Sequence, residues 1–142
     1  IIYTITIYKD NIMLYSTDTK ALLNTIPPSV IIPFDETAYS AIVTILNYNE
    51  STEVYTVKDC LGNEFEVTDM ILDPIPENIL NNKFKVTSNE YHFYDSEAIV
   101  TVKDIVFHES LDKSYKELYD YLCVDDTGFE QYVLPSDLSP IN

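Results

Sequence analysis

The sequence predicts a mainly β protein built from two related units in tandem, and three observations carry that expectation. The only glycines among the 142 residues, Gly62 and Gly128, open one shared pattern. Gly62-Asn63-Glu64-Phe65-Glu66-Val67 through Leu72-Asp73-Pro74-Ile75 aligns with Gly128-Phe129-Glu130-Gln131-Tyr132-Val133 through Leu138-Ser139-Pro140-Ile141, with Gly, Glu, Val, Leu, Pro and Ile at identical offsets. Upstream, Ala41-Ile42-Val43-Thr44-Ile45 corresponds to Ala98-Ile99-Val100-Thr101-Val102, and the second copy is longer between this run and its glycine. Finally, the Ile, Val and Tyr content supplies the β-branched and aromatic side chains that suit a pleated surface. Internal similarity speaks to architecture first. The copies divide as 1–76 and 77–142, each small enough that burial against its twin or a partner is expected.

Along the chain, Ile2 to Tyr8 and Ile12 to Ser16 flank the polar break Lys9-Asp10-Asn11 and read as a hairpin. The uncharged first strand needs covering, since an open apolar edge invites aggregation. Thr17 to Thr25 is expected to form a helical turn or two, capped by Asp18, with Ala21, Leu22 and Leu23 as its apolar segment. Pro27-Pro28 ends it and leads to a short buried strand, Val30-Ile31-Ile32. Ser40 to Leu46 is ambiguous by periodicity. Its β-branched counterpart Ala98 to Phe107 makes both strands. Glu53 to Cys60, the turn Leu61-Gly62-Asn63 and Glu64 to Asp69 form a hairpin, and Pro74 and Pro76 mark the boundary. The second copy runs through a strand Lys83 to Ser88 and an irregular aromatic loop, Tyr91-His92-Phe93-Tyr94. A helical insert near 110–118 follows, with Leu111, Tyr115 and Leu118 on one side. A closing hairpin turns at Asp126-Thr127-Gly128, and one short helical turn falls at Ser136-Asp137-Leu138.

Composition limits the partners. The net charge is −16, from 24 acidic residues and 8 basic ones, all lysine. Nucleic-acid binding needs a cationic surface and favours arginine, so direct DNA or RNA binding is not expected. An anionic membrane is disfavoured for the same reason. Ile1 to Tyr8 lacks the basic flank of a signal peptide and the length of a span. The absence of an initiator methionine implies trimming or processing.

No catalytic, metal or cofactor constellation emerges, and the chain reads as a non-enzyme. Cys60 and Cys123 read as small buried hydrophobes of a reducing compartment, with no CxxC and no Cys/His spacing for a metal. His92 reads as packing within an aromatic loop and His108 as a surface residue at a strand end. Asp125-Asp126 before Thr127-Gly128 is turn chemistry, since the alternating ligands of a calcium loop are missing. Glu64 and Glu66 alternate onto one strand face and, with Asp69, Asp73, Asp125, Asp126 and Glu130, make up a candidate acidic surface. Tyrosine is the unusual residue, twelve against no tryptophan. Tyr91, Tyr94, Leu111, Tyr115 and Tyr119 are the candidate partner-binding residues, because tyrosine combines apolar area with a polar tip.

The pattern Tyr-x-x-x-Asp-x-x-Gly followed by Val, Leu and Ile, as in Tyr55 to Ile75 and Tyr121 to Ile141, resembles the closing half of SH3-like small barrels found in bacterial and phage accessory proteins. The resemblance implies two tandem barrels with short helical insertions. The tryptophan of proline-peptide-binding members is missing, so that ligand class is not implied. Two functions stay open. One is a protein–protein interaction or structural protein, binding a protein partner or itself. Its Ile, Asn, Tyr and Lys bias without arginine fits an AT-rich genome and a viral protein, a phage virion component or accessory factor, cytoplasmic or virion-associated. The alternative is a nucleic-acid-mimicking inhibitor of a DNA- or RNA-binding host protein.

Overall fold

A computed structural model describes residues 3–5, 13–28, 30, 38–88, 92–108 and 118–141. The protein is mainly β, and among these residues its helical turns are both 3-10. The chain divides into two compact units, Ile1–Ile75 and Pro76–Asn142. The first opens with a hairpin of β1 (Tyr3–Ile5) and β2 (Met13–Tyr15), in which Tyr3 pairs with Tyr15. Its main sheet follows: β3 (Lys20–Leu23), β4 (Ile42–Asn49), β5 (Val54–Lys58), β6 (Glu64–Val67), a 3-10 turn Asp69–Ile71 and β7 (Leu72–Asp73). The second unit repeats the series with β8 (Lys83–Val86), β9 (Ile99–Phe107), β10 (Tyr119–Val124), β11 (Glu130–Val133), a 3-10 turn Pro135–Asp137 and β12 (Leu138–Pro140).

The two antiparallel five-stranded sheets have the same order, β6-β5-β4-β3-β7 and β11-β10-β9-β8-β12. Equivalence extends to single hydrogen bonds. The N–H of Asp18 donates to the Ile45 carbonyl as that of Asn81 donates to Val102, both at 2.7 Å, and Leu23 bonds Ala41 as Val86 bonds Ala98, both at 2.8 Å. Asp18 and Asn81 both hold positive φ, 68° and 62°, a region their short polar side chains tolerate. Each long second strand also carries one extra residue against its partner, Leu46 in β4 and Lys103 in β9, a bulge at the same place in each copy.

The segment Thr17 to Thr25 corrects the sequence reading. It holds strand β3, with Ala21, Leu22 and Leu23 all buried between β4 and β7. Three consecutive apolar residues fit a helix or a buried strand equally, and the tertiary ladder decides. Asp18 caps no helix; it turns the chain from β2 into β3. The insert near 110–118, apart from Leu118, lies outside the described residues, as do Ile31 and Ile32 of the Val30 to Ile32 strand. Leu118 is exposed and outside any helix.

Each unit packs one sheet face inward. Val43, Ile45, Tyr55, Val57, Val67 and Leu72 are buried in the first, and Phe84, Val86, Tyr94, Val100, Val102, Cys123 and Val133 form one cluster in the second. The glycine hairpins are fastened alike. Asp59 Oδ1 accepts the N–H groups of Leu61 (2.9 Å) and Asn63 (2.8 Å), and Asp125 Oδ1 accepts those of Thr127 (3.0 Å) and Phe129 (2.9 Å). A tyrosine from the preceding loop reaches each turn. Tyr39 donates to Asp59 Oδ2 at 2.5 Å, and Tyr94 donates to the carbonyls of Cys123 (2.9 Å) and Phe129 (2.5 Å). Burial pulls the Asp59 carboxyl upward, but the bonds from Tyr39, Asn63 and Leu61 outweigh it and hold it below the usual range.

Gly62 and Gly128 sit at φ +86° and +88°, and a Cβ added at either meets no atom within 4 Å. The cost of a side chain there is therefore backbone strain alone, roughly 1–2 kcal/mol. Gly62→Ala and Gly128→Ala should each destabilise by that amount in urea unfolding, and by nearly equal amounts. A neutral result at one position would separate the two turns.

Candidate functional site

Strand pairing fixes which side chains share the outward face of each sheet. In the first unit one row across the strands reads Lys20, Thr44, Lys58, Glu64, and the next reads Asn47, Thr56, Glu66. In the second unit the same rows read Lys83, Thr101, Val124, Glu130 and Asp104, Leu122, Tyr132. These residues alternate with buried Cys123 and Val133, so they point away from the core. At three equivalent positions a polar side chain of the first copy is apolar in the second: Thr56 becomes Leu122, Lys58 becomes Val124, and Glu66 becomes Tyr132. Ile99 and Tyr132 are both 44% exposed. Lys83, Lys85 and Lys103 border the patch, are exposed, and make no ion pair among the described residues. The backbone needs none of these changes, because the first unit builds the same strands from polar residues.

The two predicted partner-binding residues that are described, Tyr94 and Tyr119, fall outside these rows. Tyr94 is 3% exposed and its phenol holds the Gly128 hairpin, which makes it a core residue. Tyr119 is half-buried, its ring 5.7 Å from that of Phe107. Tyr91, Leu111 and Tyr115 lie outside the described residues. Beside Tyr94, Phe93 projects at 84% exposure, while His92 is buried and accepts the Tyr94 N–H on Nδ1 at 3.1 Å.

His108 corrects the surface reading. It is half-buried, with Nδ1 2.7 Å from Asp120 Oδ1, and its N–H donates to the Leu118 carbonyl, tying together the two ends of the longer β9–β10 connection. The cysteines also separate. Cys123 is buried, which pushes its thiol up to about 12 and leaves it inert, whereas Cys60 is exposed in the turn before Gly62. The reading of two buried cysteines thus holds for one, because Cys60 lies two residues past the end of β5, in the hairpin turn.

The predicted acidic residues serve the fold in part. Asp125 caps its turn; bonds from Thr127 and from the Phe129 and Gly128 backbone hold its carboxyl low. Asp73 accepts from Asn24 Nδ2 at 3.3 Å. Glu64 and Glu66 are exposed on edge strand β6, and Glu64 pairs across from Lys58; charge on such an edge discourages unwanted strand pairing. Asp69, Asp126 and Glu130 are exposed.

The first unit also has a shallow cleft of about 230 Å³ lined by Tyr48, Thr52, Glu53, Thr68, Asp69 and Met70. Its titratable groups are two carboxylates and a phenol, with no histidine or cysteine. Among the described residues no three His, Cys, Asp or Glu side chains gather where they could hold a metal, and no helix is long and apolar enough to cross a membrane. No protein family matches this chain, and no curated protein matches it significantly in sequence.

Proposed function

We propose that this protein is a non-enzymatic interaction or structural protein made of two SH3-like barrels, and that it docks through the outward face of its second sheet. The strand order supports the barrel reading: in each five-stranded sheet the first strand in the chain pairs with the last, and a 3-10 turn separates the last two. One observation carries the docking reading, namely the change from Thr56, Lys58 and Glu66 to Leu122, Val124 and Tyr132 on otherwise equivalent backbones. Apolar side chains that the fold does not require mark a binding surface, here with Tyr132 exposed and Leu122 and Val124 half-buried at its centre. Tyrosine at its margin suits an interface. The composition that fits an AT-rich genome supports a phage virion component or accessory factor as the setting, cytoplasmic or virion-associated.

The test is photo-crosslinking in producing cells from a benzoylphenylalanine placed at Leu122, with the same probe at the equivalent Thr56 as control. Protein adducts should form from position 122 and be scarce from position 56. Equal yields, or none, would remove the reading.

A further inference from the structure

The chemistry of the face points to its occupant, and on the docking reading above we infer that the occupant is a second copy of the same face. The face is complementary to itself under a twofold operation. An isologous contact must match a patch to itself, so each residue and its symmetry mate must be compatible. Let the dyad run along β10, between two sheets facing each other at the ~10 Å separation of a β-sandwich. Val124 then meets Val124 of the partner subunit, and Leu122 meets the partner's Leu122. In the neighbouring strands the order is reversed. Asp104 on β9 faces the partner's Tyr132 on β11, a carboxylate opposite a phenol that can donate to it. Thr101 faces the partner's Glu130, and Lys83 lies one strand further out, ~4.8 Å sideways and within reach of that same carboxylate. An apolar centre is thereby ringed by donor–acceptor and ion pairs, the usual anatomy of a protein interface.

The corresponding rows of the first unit fail the same operation. Lys58 would meet its own copy, a like-charge contact, and Glu66 would face Asn47. Self-pairing is thus specific to the second unit. The patch is only three to four strands wide, which belongs with small, weak interfaces, so a weak, concentration-dependent equilibrium is expected. The chain carries −16, and two copies repel at long range. Association should therefore strengthen as salt rises from about 10 to 150 mM and screens that repulsion.

Sedimentation equilibrium of the full chain from about 10 μM to 1 mM tests this directly. A monomer–dimer equilibrium is expected. Leu122→Glu should weaken it at least about tenfold, since it buries like charges at the dyad. Lys83→Glu and Glu130→Lys should each weaken it, and the double reversal should restore it. Leu122→Thr and Val124→Lys, whose new side chains the first unit carries at equivalent strand positions, guard against misfolding as the cause. A chain that stays monomeric at 1 mM, or a dimer indifferent to these changes, overturns self-pairing. Adducts from position 122 to a different protein, together with a monomeric chain, would overturn self-pairing and leave the docking reading standing. Absence of adducts would overturn both.

Discussion

Tyr55→Ala should unfold the first unit. Tyr55 is fully buried, its ring packs 5.7 Å from Tyr15 and 4.5 Å from Tyr48, and its phenol oxygen accepts the Tyr15 N–H at 3.0 Å. Truncation removes a large aromatic from a close-packed interior, a loss of about 3–5 kcal/mol. It also strips a buried N–H of its acceptor, which adds about 1–3 kcal/mol where water cannot replace it. Small domains hold only about 5–15 kcal/mol in total, and a unit of this size sits at the low end. Amide resonances of residues 38–75 should lose their dispersion at 25 °C. Tyr55→Phe keeps the ring and loses only the acceptor, so it should remain folded with a lower urea midpoint. A folded alanine variant would mean that Tyr55 is not the centre of this core.

Tyr94→Ala should be comparably damaging in the second unit, by about 3–5 kcal/mol, since it empties the centre of the buried cluster and releases the Gly128 hairpin from the core. Tyr94→Phe isolates the phenol, with an expected loss of about 1 kcal/mol. The pH dependence separates the two contributions. Burial, with Cys123 and Asp125 nearby, pushes the Tyr94 phenol up to about 12. A group raised in the folded state stabilises fully below its unfolded value, about 10, and loses that contribution as pH climbs through its folded value. Unfolding of the second unit should therefore become easier between pH 10 and 12 in the natural chain. Tyr94→Phe should show a shallower loss, leaving the part that belongs to the buried Cys123 thiol, which is also raised to about 12. An identical alkaline profile would place the phenol in water.

The sequence showed the duplication because its marks are local. A positive-φ turn selects glycine, so Gly62 and Gly128 keep their places, and Val67 and Val133 alternate inward after them. The strand Lys20–Leu23 was hidden because Ala21-Leu22-Leu23 shows no alternation. Its equivalent Lys83-Phe84-Lys85-Val86 alternates cleanly, and aligning the two would have revealed it. The proposed docking face is less legible. Which side of the sheet a residue takes depends on cross-strand register, and the extra residues Leu46 and Lys103 break the alternation along each long strand. Counting tyrosines pointed to Tyr94, yet whether a tyrosine is buried depends on whether its hydroxyl finds an acceptor, and that acceptor lies on a hairpin distant in sequence.

On the proposed reading, the two copies share a backbone and differ in the use of one face. The most direct measurement gives the second copy the surface of the first, through the triple variant Leu122→Thr, Val124→Lys, Tyr132→Glu, and follows both urea stability and association. Stability within about 1 kcal/mol of the natural chain is expected, since Leu122 and Val124 are half-buried but outside the core cluster, together with loss of self-pairing and of crosslinks from the remaining face at Ile99. A triple variant that unfolds would place these side chains in a core, and one that associates undiminished would show that the apolar face binds nothing.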